Sequence, residues 1–596
     1  MWVSFSRRTG RRPRAMTGLA LLFAGWATLA AAQPGPTQAA SGPAAAPASI
    51  PTSVKTGFAR HAMVAAANPL AVDAGVKVLR RGGTAIDAAV AVQSVLGLVE
   101  PQSSGLGGGA FMVYYDARTH KVTAYDGREF APAAAGPDLF LGADGKPLGF
   151  YAAVLSGRSA GVPGAIAMLS KAQHEHGALA WGGLFGEAAH LADDGFLVSP
   201  RMAGFINDPD HIPEARAPDA AAYFTKPDGV RYQAGDRLIN HAYAQTLRQL
   251  AQQGPAALLA GKVAQDIVTR THAGDDPGTL TLADLAAYRP HAAPALCRPY
   301  RTYQVCTAND PSGGSALLEG LGLLSRTDIA SRGPADPQAW FELAQASRLM
   351  YADRDYFVGD PAFVSVPDAG LLDPAYLDAR AQLIGATAGP APSHGAPAGA
   401  SHRAPDSTPE PGGTSHMVIV DARGDVLSMT TTVESVFGDG RMVDGFFLNN
   451  QLTDFSFNPL APDGTAAANA PGPHKRPRSS MAPVIVLDRR GRFVAALGSP
   501  GGPAILAYNL KALVGFIDWK LPLGQALALP NLIAHGDNTI GEVAKFAPGV
   551  VDGLAARGMT VRDGMGEDSG LHAIAVHDGG LEGAADPRRE GVARGF

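Results

Sequence analysis

Near the middle of the chain, two apolar runs flank a short polar turn. Met417-Val418-Ile419-Val420 and Val426-Leu427-Ser428-Met429-Thr430-Thr431-Thr432 are rich in β-branched and apolar residues, with Asp421-Ala422-Arg423-Gly424-Asp425 between them. The pattern predicts a β-hairpin. A turn centred near Arg423 places Thr414 opposite Thr432, with side chains about 4.5–5.5 Å apart. Elsewhere the apolar period lengthens to that of a helix. Residues 69–81 and 84–98 predict two helices separated by Gly82-Gly83. The second is Ala/Val-rich on nearly every face and is expected to be buried between layers. Residues 181–194, 243–253 and 337–351 predict further helices, and residues 110–115, 483–487, 493–497 and 571–576 predict strands. Helices dominate before residue 414 and strands cluster after it. The expected architecture is one large α/β unit of stacked sheets flanked by helices, assembled from both halves. The run Gly105-Leu106-Gly107-Gly108-Gly109 follows a helix and opens a strand. A phosphate-cradling loop needs the opposite order, so these glycines read as a tight turn with close packing.

Residues 386–413 interrupt this pattern with a stretch dominated by Ala, Pro, Gly, Ser and Thr. Such a composition buries too little apolar surface to offset its ordering entropy and predicts a flexible strap. The strap delivers Thr414 to the start of a strand, which suggests a chain that cuts itself between Gly413 and Thr414. A threonine hydroxyl is a weak nucleophile and needs an adjacent base. A freed α-amino group, with a pKa of about 7.7–8, is partly neutral at working pH and supplies one. Before cleavage the same hydroxyl is placed to attack the Gly413 carbonyl, where glycine lets the backbone distort.

Composition narrows the class. The chain has 596 residues, 46% hydrophobic and 17% charged, which describes a globular protein. Its net charge of −5 and the absence of a long basic stripe give no sign of nucleic-acid binding. Arg7, Arg8, Arg11, Arg12 and Arg14 precede an apolar stretch over residues 16–32 that ends in small residues. Residues 1–32 therefore read as a signal peptide, an uncleaved anchor being the alternative. No other segment is long and apolar enough to span a bilayer. The mature protein is expected to be periplasmic or secreted, with no membrane contact once the signal is removed. Cys297 and Cys306 flank what reads as a turn around Pro299 followed by a strand. They predict a disulfide worth about 2.5–3 kcal/mol, or else two buried free thiols. Two cysteines without a nearby histidine pair make no metal site.

Four further clusters carry candidate chemistry: Gly127-Arg128-Glu129, Leu448 to Phe455, Arg478-Ser479-Ser480-Met481, and Gly498-Ser499-Pro500-Gly501-Gly502. Together they supply a cation and hydroxyls for a carboxylate, acids and an amide for an ammonium, and a Gly-Gly backbone for an oxyanion hole. With Gly82 to Ala89, Tyr351-Ala352-Asp353-Arg354, Thr414-Ser415-His416 and Lys475-Arg476-Pro477, these clusters run in one order along the chain. In that order it resembles the γ-glutamyltransferase (glutathione hydrolase proenzyme) family of N-terminal-nucleophile hydrolases, from about Gly57 to Arg589.

The resemblance implies a four-layer αββα sandwich shared by a large subunit, residues 33–413, and a small subunit, residues 414–596. It implies that Thr414 is both the self-processing residue and the nucleophile, supported by the Thr432 hydroxyl. Arg128, Ser479 and Ser480 would hold the substrate α-carboxylate, and Gln451 and Asp454 its α-ammonium. The Gly501 and Gly502 N–H groups would stabilise the oxyanion. No metal or organic cofactor is implied, and the partners are small γ-glutamyl amides such as glutathione and the other self-cleaved fragment. Three positions depart from the family pattern: Glu434 stands where an asparagine is usual in the ammonium site, Arg478 replaces a leucine, and Asn309 to Gly314 differs from a proline-rich loop.

Three other readings compete. A cephalosporin (glutaryl) acylase of the same superfamily would cleave amides lacking the ammonium, which leaves Asp454 without a role. An α/β-hydrolase would use Ser159 in Gly157-Arg158-Ser159-Ala160-Gly161, but Val162-Pro163-Gly164 follows where a helix should begin. An exported binding protein would keep residues 386–413 as a plain linker. Residues 458–475 are a candidate cover for the site, or an ordinary surface loop.

Overall fold

The computed structural model describes residues 55–406, 408–410, 412–564 and 568–596, so the predicted signal peptide lies outside the described residues. Alternation along each strand sorts side chains onto two faces. In the strand Thr414–Val420, Val418 and Val420 join an apolar cluster with Phe111, Val113, Ile485, Ala496 and Ile574, whereas Met417 and Ile419 join another with Met112, Tyr114, Leu427 and Met429. The first cluster lies between two seven-stranded sheets. The second lies between one sheet and its helices.

The sheet carrying the central hairpin runs Val592–Gly595, Met63–Ala66, Thr414–Val420, Val426–Thr432, Gly109–Asp116, Lys121–Gly127, His291–Pro294. The other runs Lys55–Ala59, Gly580–Ala585, His572–His577, Phe493–Gly498, Val484–Leu487, Tyr303–Thr307, Leu296–Tyr300. Helices Pro69–Arg80, Ala85–Val99 and Ala165–His176 cover the first sheet, burying Val72, Val92 and Met168. Helices Gly314–Leu324, Pro337–Phe357 and Ile505–Leu513 cover the second, burying Leu317, Leu343 and Leu506 against Val484 and Leu497. The result is a four-layer αββα sandwich. Both sheets draw strands from both sides of residue 414, so neither half of the chain closes a core alone.

Two local devices fix the hairpin. Helix Ala85–Val99, buried along its whole length, begins with a capping box between Thr84 and Asp87. The Ala85 N–H then donates to Asp421 Oδ2 at 2.9 Å, tying the helix N-terminus to the hairpin turn. The Gly105–Gly109 run packs on the far strand end, where a Cβ at Gly108 would lie 1.9 Å from the Thr432 carbonyl oxygen. Glycine is required there because another backbone occupies the space.

The expected helix over 181–194 is divided into a short 3-10 turn, Trp181–Leu184, and helix Gly186–Asp194. Gly182, Gly183 and Gly186 raise the entropic cost of one continuous helix. The turn expected at Pro299 lies instead at Arg301-Thr302, with Pro299 inside the strand Leu296–Tyr300. That strand is at the sheet edge, where a missing N–H costs no ladder bond. The register sets Cys297 opposite Cys306, and the two are joined by a disulfide. Residues 386–413, expected as a flexible strap, form no helix or ladder strand among those described, but the structure ties them down. Arg348 Nη2 donates to the Gly389 carbonyl at 2.9 Å, the Gly395 N–H donates to Asp353 Oδ1 at 2.6 Å, and the His394 ring stacks on Tyr356. The 458–475 loop meets the strap at an Ala404–Ala467 bridge. Among the described residues no helix is long and apolar enough to cross a membrane.

Replacing both Cys297 and Cys306 by alanine is expected to lower the unfolding free energy by about 2–3 kcal/mol, because the short closed loop limits the loop-entropy gain. Urea unfolding of the uncut Thr414→Ala chain with and without the pair checks this. An unchanged midpoint would contradict it.

Candidate active site

Thr414 opens its strand, is 4% exposed, and pairs with Thr432 in the expected register. Both share the strand face of Val418 and Val426, so their hydroxyls point between the sheets. Thr414 Oγ1 donates to Thr432 Oγ1 at 3.4 Å, and Thr432 Oγ1 donates to the Gly413 carbonyl oxygen at 2.7 Å. The Glu434 N–H donates to Thr432 Oγ1 at 2.7 Å and fixes it in place. The Thr432 hydroxyl thus polarises the peptide carbonyl next to Thr414. A Cβ at Gly413 would sit 2.1 Å from the Glu434 carbonyl oxygen, so only glycine fits. On the other side, Arg589 Nη1 donates to the Thr414 carbonyl at 3.1 Å.

Two residues along the same strand face, His416 is hydrogen-bonded to Thr430 Oγ1 through Nδ1 at 2.9 Å and to Ser428 Oγ through Nε2 at 3.3 Å. Burial, reinforced by His572, holds its pKa well below the ordinary imidazole range, so it stays neutral. Gly498 packs on its ring, where a Cβ would fall 2.3 Å from Cε1. From Gly498 the loop continues to Gly501 and Gly502. Gly501 has φ 131°, with the Tyr508 ring 2.5 Å from where a Cβ would be. Neither glycine N–H is bonded to another described residue, which leaves two donors just past the strand Phe493–Gly498, which packs on Thr414–Val420 from the other sheet.

The second half of the site is a buried charge cluster. Arg128, 1% exposed, follows the strand Lys121–Gly127, and its guanidinium donates to the carbonyls of Pro477 and Arg478 and to Asp454 Oδ2. Gln451 Nε2 donates to Asp454 Oδ2 at 2.9 Å and also to Glu434 Oε2. Asp454 Oδ1 and Gln451 Oε1 are buried and accept no hydrogen bond. Burial raises both carboxyls. The Asp454 charge raises Glu434 further, whereas Arg128 opposes the rise at Asp454. Arg128, expected on the substrate α-carboxylate, and Asp454, expected on its α-ammonium, are ion-paired with each other. Ser479 is engaged locally, its N–H donating to the Pro311 carbonyl and its Oγ accepting from the Met481 N–H. Ser480 Oγ donates instead to Glu410 Oε2 at 2.7 Å.

Glu410 was not singled out from the sequence. It lies in the strap, four residues before Thr414, and its carboxylate meets Arg354, Arg478 and Ser480. Burial would raise its pKa, but Arg354 and Arg478 overcome that and hold it below the usual carboxylate range. The one available signal was an acid followed by Pro411 and two glycines at the strap's end, beside the unusual Arg478. Ser159 is different: it sits in the 3-10 turn Gly157–Ser159 and its Oγ donates to the Val154 and Ser156 carbonyls, so it is structural. Among the described residues no cluster of His, Cys, Asp or Glu could hold a metal ion.

A strand-initial threonine between two antiparallel sheets, enclosed by helices on both outer faces, defines an N-terminal-nucleophile hydrolase fold. In agreement, the cephalosporin acylase from Bacillus halodurans superposes with a TM-score of 0.79 at 24% identity, over 92% of this chain and 98% of that one. Residues 71–596 match the gamma-glutamyltranspeptidase family model, and the chain belongs to that family of enzymes. It is 34% identical to the glutathione hydrolase proenzymes of Bacillus subtilis (strain 168), over 90% of this chain and 91% of the relative, and of Escherichia coli (strain K12), over 89% and 91%. It is 33% identical to the acylase ACY 1 proenzyme of Pseudomonas sp. (strain SE83), over 89% and 92%.

Beside Arg128, the Glu129 carboxyl is buried with neither oxygen hydrogen-bonded, and burial raises its pKa to about 8 despite Arg128. The folded chain therefore keeps a proton there that the unfolded chain releases above about pH 4.5, so this group lowers stability as pH rises from there to about 8. Glu129→Gln is expected to gain on the wild type across that window by up to about 1.4 kcal/mol per pH unit. Urea unfolding at pH 5 and pH 8 measures the difference, and a gap that does not widen would contradict it.

Proposed function

We propose that the chain is a self-cleaving γ-glutamyl hydrolase and transferase that uses Thr414 twice. In the first use Thr414 Oγ1 attacks the Gly413 carbonyl carbon, and the Thr432 hydroxyl stabilises the developing oxyanion. The Gly413–Thr414 C–N bond breaks as the ester forms, and the Thr414 nitrogen takes up the proton. Water then hydrolyses the ester, leaving a carboxylate on Gly413 and a free amine on Thr414. The two fragments, ending at Gly413 and beginning at Thr414, stay together as a heterodimer because both sheets need both.

In the second use the Thr414 amine accepts the proton of its own hydroxyl, and Oγ1 attacks the γ-carbonyl of a γ-glutamyl amide such as glutathione. The Gly501 and Gly502 N–H groups receive the oxyanion. The amine partner departs with the proton, and water or an amino compound resolves the glutamyl ester. Arg128, Ser479 and Ser480 are the carboxylate side of the pocket; Glu434, Gln451 and Asp454 are the ammonium side. Export to the periplasm or medium, after removal of residues 1–32, completes the proposal.

The observation that carries this reading over a glutaryl acylase is the pair of buried acceptors, Asp454 Oδ1 and Gln451 Oε1, that accept no hydrogen bond beside the Glu434 carboxyl. An ammonium satisfies them, and a methylene leaves them orphaned. The wild type is expected to hydrolyse γ-glutamyl-p-nitroanilide with a kcat/KM at least about tenfold above that for glutaryl-p-nitroanilide. Asp454→Asn is expected to narrow that ratio by about 10- to 100-fold, the scale of one charge-assisted hydrogen bond. Faster release from the glutaryl anilide would contradict the reading.

A further inference from the structure

Glu434 is a buried carboxyl bonded to an amide, and it shares the Arg128 charge with Asp454. Its backbone is left-handed, with φ 80°, a conformation that costs energy outside glycine and is held here from both sides. Its own N–H donates to Thr432 Oγ1, and the next N–H, of Ser435, donates to Asn450 Oδ1 at 2.8 Å. So held, the side chain reaches the turn Gln451–Asp454, where Gln451 Nε2 donates both to Glu434 Oε2 and to Asp454 Oδ2. One amide nitrogen thus draws two buried carboxyls together.

The charges around this pair do not balance if both carboxyls are ionised. Arg128 faces them and is ion-paired with Asp454, while its guanidinium also serves the Pro477 and Arg478 carbonyls. Glu129, beside Arg128, is a third carboxyl on that side, and burial keeps its proton to about pH 8. From the strap, Glu410 adds its charge to Asp454 but is itself met by Arg354 and Arg478. After cleavage the Thr414 amine and the Gly413 carboxylate also border Glu434, since Gly413 packs on the Glu434 carbonyl. One guanidinium offsets one carboxylate. A second ionised carboxyl beside the first, out of water, is unfavourable enough for the pair to keep a proton. Burial and the Asp454 charge both act in that direction on Glu434.

An ammonium reverses the balance. It brings one positive charge and three N–H donors. Three acceptors are available to it: Asp454 Oδ1, Gln451 Oε1 and an ionised Glu434. We propose that the empty site keeps one proton on the Glu434–Asp454 pair and that the ammonium of the acyl donor displaces it, so that Glu434 makes donor binding an exchange of a proton for an ammonium. This rests on the γ-glutamyl reading above and gives Glu434 a role that an asparagine in its place does not have. The proton leaves for solvent, no bond of the substrate breaks, and the charge on the ammonium side stays the same. Because the pair holds its proton more tightly when empty than when occupied, binding tightens as pH rises, by up to about tenfold per pH unit. The gain ends where the empty site loses the proton by itself.

Proton counting tests this. The cleaved enzyme is titrated with L-glutamate at about pH 7 in weakly buffered solution with a pH indicator. About one proton per bound glutamate is expected to be released by the wild type and by Glu129→Gln, and close to none by Glu434→Gln. Glutarate, which lacks the ammonium, is expected to release none. Competition against γ-glutamyl-p-nitroanilide is the second readout. The inhibition constant of L-glutamate is expected to fall about tenfold from about pH 6 to about pH 7 in the wild type and less than about twofold in Glu434→Gln, and that of glutarate is expected not to fall. Should Glu434→Gln fail to fold or cleave, Glu434→Asn is expected to lose the proton release in the same way. Release that persists in the Glu434 variant would place the proton on the Thr414 amine, and release lost in Glu129→Gln would place it on Glu129; either result overturns the proposal. A wild type that binds L-glutamate without releasing a proton overturns the exchange alone and leaves the γ-glutamyl reading standing. A wild type that neither binds L-glutamate nor hydrolyses any γ-glutamyl amide overturns both.

Discussion

One hydroxyl organises the centre of this molecule. Thr432 Oγ1 receives the Glu434 N–H and the Thr414 hydroxyl, and gives its own proton to the Gly413 carbonyl. That single atom aligns the Thr414 hydroxyl, polarises the carbonyl ahead of it and holds the backbone in a space only glycine fits. It does so because the hairpin register places two threonines on the same inward face. The register in turn is held by the Asp421 turn on a helix N-terminus and by the glycine run packed on the Thr432 carbonyl. A one-residue slip of either strand would turn its threonine hydroxyl toward the helices and dissolve the arrangement.

The charge cluster follows a different logic. Ion pairs buried this deeply contribute little net stability, and their value lies in what they position. Arg128, Asp454, Gln451 and Glu434 leave two acceptors unmet, while Arg354 and Arg478 carry more donors than the chain uses. One cluster therefore has acceptors to spare and the other has donors to spare. The strap belongs to this arrangement, since Asp406 and Glu410 neutralise the donor side.

Much of this was legible in the sequence. The hairpin, its register and the pairing of Thr414 with Thr432 follow from β-branched runs around an Asp/Gly turn. The buried helix over 85–99 follows from its uniform Ala/Val face, and the ordering of the clusters pointed to the family. Other features were not legible, for physical reasons. Pro299 marks a turn by local propensity, but edge position removes its penalty, and the turn moved to Arg301-Thr302. The strap's composition speaks only of entropy, so it hid Asp353, Tyr356 and the two arginines that hold it. That Arg128 and Asp454 are ion-paired with each other could not be read either, because sequence order carries no information about which charges meet in space.

The claim on which the rest depends is that the chain breaks immediately before Thr414. Intact-mass spectrometry with N-terminal sequencing of the purified protein tests it most directly. The account predicts two polypeptides, the shorter beginning Thr414-Ser415-His416, and a single polypeptide for Thr414→Ala. A wild-type chain that stays in one piece while hydrolysing γ-glutamyl-p-nitroanilide at full rate would contradict it.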